Sequence, residues 1–318
     1  MHFIRLIRPV NLVIIAITMY GIAWYFEGVY AMPQSMGINS ISFFLLVLST
    51  VMIAAGGNII NDYFNTKADL INKPNRVIIG KHIKRRMAIV LHWGINFLEF
   101  SIAVYLSWRL QTFWYSFIHL LTINLLWYYS LKLKRVFFIG NVLIAGLTAL
   151  VPLLVGFYYY HTNELSATTI PEISFYPFAE STIYHYTLLL TFSISGFAFA
   201  LNLAREIVKD MEDVEGDKKL HAKTLPIVLG INRTKIIAAL VLFLTILISG
   251  AIWNLYSTIT FKSMIPVIIS AFLVFLCFIV LFFSKQKSHF RIINQLIKLA
   301  MIFGLLLPIY WRLIMING

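Results

Sequence analysis

ISFFLLVLSTVMIAAGGNII, residues 41–60, runs for twenty residues without a charge and passes directly into NDYFNTKADLINKPNR, residues 61–76. A helix rises about 1.5 Å per residue, so about 20 apolar residues match the hydrocarbon core of a bilayer. An acidic, amide-rich segment attached to such a span places oxygen ligands at the membrane edge. The whole chain agrees with a membrane setting: 60% of its 318 residues are hydrophobic and only 12% charged, against the roughly 25% charged residues of soluble domains. Windows of similar length fall at 10–30, 87–107, 112–131, 139–160, 183–204, 236–257, 264–284 and 299–316. Together with 41–60 they predict an all-α membrane protein of about nine transmembrane helices.

The first window follows basic residues, as in a secretory signal, but it is long for a signal core and lacks a small-x-small cleavage site. It is read as the first helix. The link between 87–107 and 112–131, Trp108 to Gln111, is so short that these two helices must be antiparallel neighbours. With the N-terminus cytoplasmic, 23 of the 26 Lys and Arg fall on the cytoplasmic side, leaving Arg109, Lys262 and Arg312 outside near helix ends. Positive loops stay in the cytoplasm, so the expected topology is N-in and C-out, in the cell (inner) membrane. The excess of 26 basic over 13 acidic residues therefore serves orientation, and no nucleic-acid partner or obligate protein partner is inferred. Residues 161–182 form the one long external loop in this scheme.

Eight of the thirteen acids gather at two cytoplasmic helix ends: Asp62, Asp69, Glu206, Asp210, Glu212, Asp213, Glu215 and Asp217. Asp62, Asn65 and Asp69 align with Asp210, Asp213 and Asp217 at a constant offset of 148, a degenerate internal repeat. Spacing of i, i+3, i+7 puts each trio on one helix face, provided each helix continues that far. Two facing rows of carboxylates suit Mg²⁺, which prefers a few carboxylates plus water and phosphate oxygens to a full protein cage. The ligand that calls for such an arrangement is a diphosphate, whose charge must be neutralised before it leaves carbon. Arg76, Lys134 and Arg205 are placed to share that charge. The alternative is that these acids are solvated loop charges, but six of them within residues 206–217 would repel one another without cations.

The second motif resembles that of the UbiA family of intramembrane prenyltransferases, Asp-x-x-Asp-x-x-x-Asp ending in Glu-Gly-Asp, here Asp210, Asp213, Glu215, Gly216 and Asp217. In the first motif Asn61, Asp62 and Asp69 match, while Asn65 stands at the usual central aspartate. Further matches, in order along the chain, are Arg8-Pro9-x-Asn11, Asn72-Lys73-Pro74-Asn75-Arg76, Tyr129-Ser130, Leu133-Lys134-Arg135, Gly140-Asn141 and Thr224-Leu225-Pro226. The resemblance implies a single domain over 1–318, a helical bundle around a central cavity, with Asp62, Asp69, Asp210, Asp213 and Asp217 catalytic. The same five, with Asn61 and Asn65, would bind Mg²⁺. Arg8, Asn11, Asn61, Asn65, Arg76, Tyr129, Ser130, Lys134, Arg205 and Lys209 would bind an isoprenyl diphosphate and a lipid-like acceptor. Within the family the wording is most similar to the branch that adds a second geranylgeranyl chain to a glycerol phosphate ether. An aromatic, quinone-precursor or chlorophyllide-like acceptor remains open, as does a transporter of anionic lipid or divalent cation. Transporter sites, however, usually lie near the midplane.

Three features stand outside this scheme. Glu99 lies mid-span, where an ionisable group normally faces a partner or cavity; with no motif around it, a structural role is favoured over a catalytic one. Cys277 is expected to be a packed core or lipid-side residue, since a single thiol forms no internal disulfide. The eight dispersed histidines offer no transition-metal spacing.

Overall fold

The computed structural model describes residues 2–29, 37–166, 183–255 and 261–317, and among them every regular element is helical apart from an isolated bridge between Ile79 and Ile83. The helices are α1 (His2–Leu6), α2 (Pro9–Val29), α3 (Ile41–Asn72), α4 (Arg85–Arg109), α5 (Trp114–Leu131), α6 (Ile139–Ser166), α7 (Ile183–Lys219), α8 (Leu225–Leu229), α9 (Ile231–Leu255), α10 (Ile265–Phe283), α11 (Lys287–Leu305) and α12 (Leu307–Asn317). Seven stretches among the described residues are long and apolar enough to cross a membrane. Two of the nine expected spans are helices that fall outside those seven: α5, diluted by Trp, Tyr, His119 and Asn124, and α7, whose second half is charged. The last span differs from expectation too. Apolar helix begins at Lys287, not near 299, and breaks at Leu306, where Pro308 supplies no N–H to continue the ladder. The expected external loop shortens as well, because α6 runs to Ser166; residues 167–182 lie outside those described.

The chain forms two compact units. The first comprises residues 1–17, 41–143 and 213–231, in which α3 packs against α4 and α5. Gly56 and Gly57 permit this closeness, since a Cβ would stand 2.8 Å from Asn96 Oδ1 and 3.0 Å from Leu126 Cδ1, respectively. Small residues at helix contacts are how membrane helices gain packing where lipid offers no hydrophobic contrast. Leu6, Ile59, Ile79 and Ala88 form a buried apolar cluster in this unit. The short link is confirmed as an antiparallel turn: α4 ends at Arg109, Gln111 takes φ 52°, and Ser107 and Ser116 pair at 3.1 Å.

In the same unit, Glu99 has a partner. It is fully buried and hydrogen-bonds His119 Nδ1 of α5, itself 1% exposed. One turn before, Asn96 bonds His92, whose Nδ1 meets the Gly56 carbonyl at 3.0 Å. The inward stripe of α4 is thus polar and its outward face, with Trp93, Phe97 and Leu98, apolar.

The second unit comprises residues 18–40, 144–212 and 232–318. Here α10 packs along α11, tied by Ser270 Oγ to the Ala300 carbonyl at 2.8 Å. Cys277 is a buried free thiol between them, as expected. Tyr25, Phe26, Tyr159 and Trp311 form an aromatic core with centroids 5.3–5.5 Å apart at the Phe26–Tyr159 and Tyr25–Trp311 pairs.

Candidate active site

The first acidic motif is helical throughout, because α3 continues past its apolar span to Asn72. Asp62, Asn65 and Asp69 therefore do share one face. Arg8 Nη2 reaches Asp62 Oδ1 at 2.5 Å. The elbow between α1 and α2 aims it there: Arg8 takes φ 56°, a left-handed conformation that costs a non-glycine residue about 1–2 kcal/mol. Asn58 Nδ2 holds the elbow through the Ile7 carbonyl at 2.9 Å, and the Asn11 N–H donates to the Arg8 carbonyl at 3.0 Å. Asn65 is buried, and its amide donates to Asn61 Oδ1 at 2.9 Å, so Asn61's carbonyl is engaged within the helix.

The second motif lies on α7, which is also continuous, to Lys219. Its last two turns, from Asp213, belong to the first unit and dock on the end of α3. Lys73 Nζ stands 2.9 Å from Asp213 Oδ1 and hydrogen-bonds Oδ2 at 3.1 Å. The Asn72 side chain donates to the Asp213 carbonyl and accepts from the Gly216 N–H, each at 3.0 Å. Asp69, half-buried, feels the attraction of Lys134 and Lys73 and the repulsion of Asp62 and Asp213. Lys134 sits in a tight turn, Leu133–Arg135, against which Gly140 packs; a Cβ there would meet the Leu133 carbonyl oxygen at 2.8 Å. The first unit thus gathers Asp62, Asp69 and Asp213 with Arg8, Lys73 and Lys134. Asp217 ends the stripe, its carbonyl accepting from the Ala222 N–H at 3.0 Å where the helix closes.

Other predicted residues are placed differently. Ser130 is buried, with its hydroxyl on the Leu126 carbonyl at 2.8 Å, and Tyr129 is buried beside it. The side chain of Arg76 lies outside what is described. In the second unit, Arg205 Nη1 and Lys209 Nζ both bind Glu206, at 3.0 and 2.8 Å. Glu212 is buried and held by Arg291 Nε at 3.3 Å and Asn294 Nδ2 at 3.1 Å. The inference that the six acids of 206–217 require external cations needs correcting on this point, since the chain's own cations neutralise Glu206 and Glu212. Asp210 lies on α7 one turn before Asp213, half-buried.

Among the described residues no three acidic, His or Cys side chains form a ready-made metal cage. The donors nonetheless fit a hard cation, since they are carboxylate oxygens gathered at the ends of α3 and α7, although Asp213 Oδ1 already has Lys73 Nζ at 2.9 Å. Sequence reasoning did not assign a role to Asn72 or Lys73. The signal was there, one turn beyond Asp69 on the same helix.

Several helices long and apolar enough to cross a bilayer mark an integral membrane protein. The family model for the UbiA prenyltransferase family matches residues 12–306, and the chain belongs to that family; it is a prenyltransferase. It is 30% identical over 302 residues to the digeranylgeranylglyceryl phosphate synthase of Thermococcus gammatolerans, covering 95% of this chain and 94% of that one. A solved digeranylgeranylglyceryl phosphate synthase shares the fold with a TM-score of 0.65 at 23% identity, covering 97% and 96% of the two chains. A UbiA homologue from Archaeoglobus fulgidus, solved with GPP and Mg²⁺, shares it with a TM-score of 0.56 at 14% identity, covering 96% and 99%.

Proposed function

We propose that this chain transfers a geranylgeranyl group from its diphosphate to geranylgeranylglyceryl phosphate, with Mg²⁺, at a site facing the cytoplasm, and that residues 1–318 act as one catalytic domain. The observation that carries the reading is the convergence of Asp62, Asp69 and Asp213 with Lys73, Lys134 and Arg8 in one unit. Similarity to synthases of that name over 78–95% of the chain supports the choice of acceptor. The charge asymmetry of the loops supports the orientation.

Asp62, Asp69, Asp210, Asp213 and Asp217 would hold Mg²⁺, which when bound supplies Lewis-acid stabilisation to the departing diphosphate. Lys73, Lys134 and Arg8 add positive charge to the same leaving group. As the allylic carbon–oxygen bond breaks, the acceptor hydroxyl oxygen bonds to that carbon and its proton passes to the departing diphosphate, leaving an ether and protonated diphosphate. Apolar helix faces exclude the water that would otherwise compete with the acceptor.

The test is incubation of membranes containing the protein with labelled geranylgeranyl diphosphate, Mg²⁺ and a panel of acceptors: geranylgeranylglyceryl phosphate, a hydroxybenzoate and a chlorophyllide. Ether formation should occur with the first, vanish in EDTA and return with Mg²⁺ but poorly with Ca²⁺, which is larger and looser in geometry. Full activity in chelator would overturn the metal role, and transfer to an aromatic acceptor alone would overturn the acceptor.

A further inference from the structure

The residue that joins the two acidic helix ends is not an acid. Asn72 is the last residue of α3, and its side-chain amide makes two bonds to α7, donating to the Asp213 carbonyl and accepting from the Gly216 N–H. Amides do both at once; aspartate only accepts and alanine does neither. The neighbouring Lys73 adds its ammonium to the Asp213 carboxylate. Gly216 is part of the same contact, because a Cβ at that position would lie 2.7 Å from Asn72 Cγ, closer than real side-chain contacts allow. Gly216 has no left-handed backbone to explain it. Its lack of a side chain is therefore explained by the approach of Asn72.

These contacts fall between Asp213 and Asp217, the two aspartates of α7 in this unit. A bond to the backbone of residue 213 and another to the backbone of residue 216 fix both the rotation and the height of that helical turn. Rotation matters because one residue turns the stripe by about 100°. A diphosphate bridged to carboxylates on both helices needs them at a set separation, and misplacement by about 1 Å is costly for catalysis.

We propose that Asn72 is a positioning residue: through its paired bonds to Asp213 and Gly216 it holds the acidic stripe of α7 in register with Asp62 and Asp69 of α3, and position 216 must be glycine for it to do so. The role in substrate binding rests on the proposed function; the clamp itself does not.

The test uses the full chain, purified in detergent, in a Cys277→Ala background. Spin labels at Leu70→Cys on α3 and Lys219→Cys on α7, both exposed positions of the first unit, report the spacing of the two helix ends by dipolar EPR. Binding of Mn²⁺ in the presence of inorganic pyrophosphate is measured separately by its EPR signal. Asn72→Ala should broaden the distance distribution and weaken Mn²⁺–pyrophosphate binding by roughly tenfold, the scale of two lost hydrogen bonds. Gly216→Ala should do the same, and the double variant should be little worse than either single one, because both break one contact. Unchanged distances in folded Asn72→Ala and Gly216→Ala overturn the clamp. Broadened distances with unchanged Mn²⁺ affinity overturn its positioning role and leave a structural one. If the parent chain itself binds no Mn²⁺ with pyrophosphate, the proposed function fails, while the distances still decide the clamp.

Discussion

Replacing His119 by alanine strands Glu99, and the structure sets the scale of the loss. Both side chains are buried, at 1% and 0% exposure, on helices joined by a four-residue turn, and among the described residues neither Glu99 Oε2 nor His119 Nε2 has a hydrogen-bond partner. Ordinary interhelical hydrogen bonds in membrane proteins contribute about 0.6 kcal/mol on average and at most about 1.7. Removing one partner of a buried ionisable pair costs more, about 3–5 kcal/mol, because the other group keeps its desolvation penalty. At about 2–4 °C per kcal/mol for a domain of this order of size, His119→Ala should lower the thermal midpoint by roughly 10 °C. Glu99→Gln, which keeps a hydrogen-bonding group of the same shape, should lower it far less. Glu99→Leu with His119→Phe should restore most of the loss, since an apolar pair carries no desolvation penalty. Thermal unfolding of the purified variants in one detergent, with prenyl transfer measured per folded molecule, checks all three. Specific activity should hold in each. A variant that keeps its midpoint but loses turnover would refute the reasoning and make Glu99 a catalytic group.

Asp213→Ala should reduce prenyl transfer by at least about a hundredfold, the scale of losing one major electrostatic contact to a transition state. Asn65→Ala should cost clearly less, because Asn65 is buried and bonded to Asn61; equal losses in a Mg²⁺ titration of both would overturn the ranking. Glu212→Ala should destabilise the protein by about 1–3 kcal/mol through the stranded Arg291 and Asn294, yet leave the Mg²⁺ concentration for half-maximal rate unchanged. A raised Mg²⁺ requirement would return Glu212 to the metal site.

Apolar length made the spans legible, and the acid spacing made the faces of α3 and α7 legible, because both signals are local and periodic. The partners were not. Nothing local to Glu99 points to His119, twenty residues on; only the short turn, which makes α4 and α5 antiparallel, brings them level. Asn72 with Gly216 and Glu212 with Asn294 are likewise pairings of distant segments, fixed by packing. The break at Leu306 was readable in Pro308, but mean apolarity over a window hides a single missing N–H.

The acid run of α7 shows what angle adds to spacing. At about 100° per residue, Asp210, Asp213 and Asp217 fall within an arc of about 60°, and Glu206 lies inside the same arc one turn deeper. Glu212 and Glu215 point elsewhere. The structure follows this division: Glu215 is exposed and Glu212 turns to Arg291 and Asn294, away from the stripe. Glu206 does share the stripe, but Arg205 and Lys209, its neighbours on the same helix, neutralise it. A run of six acids thus separates into a stripe of three on the ligand-facing arc, of which Asp213 also meets Lys73 from α3's end, two turned to cations away from that cluster, and one left to solvent. Charge count alone could not separate them, because all six carry the same charge; their angles on one helix, and the cations that each angle meets, do.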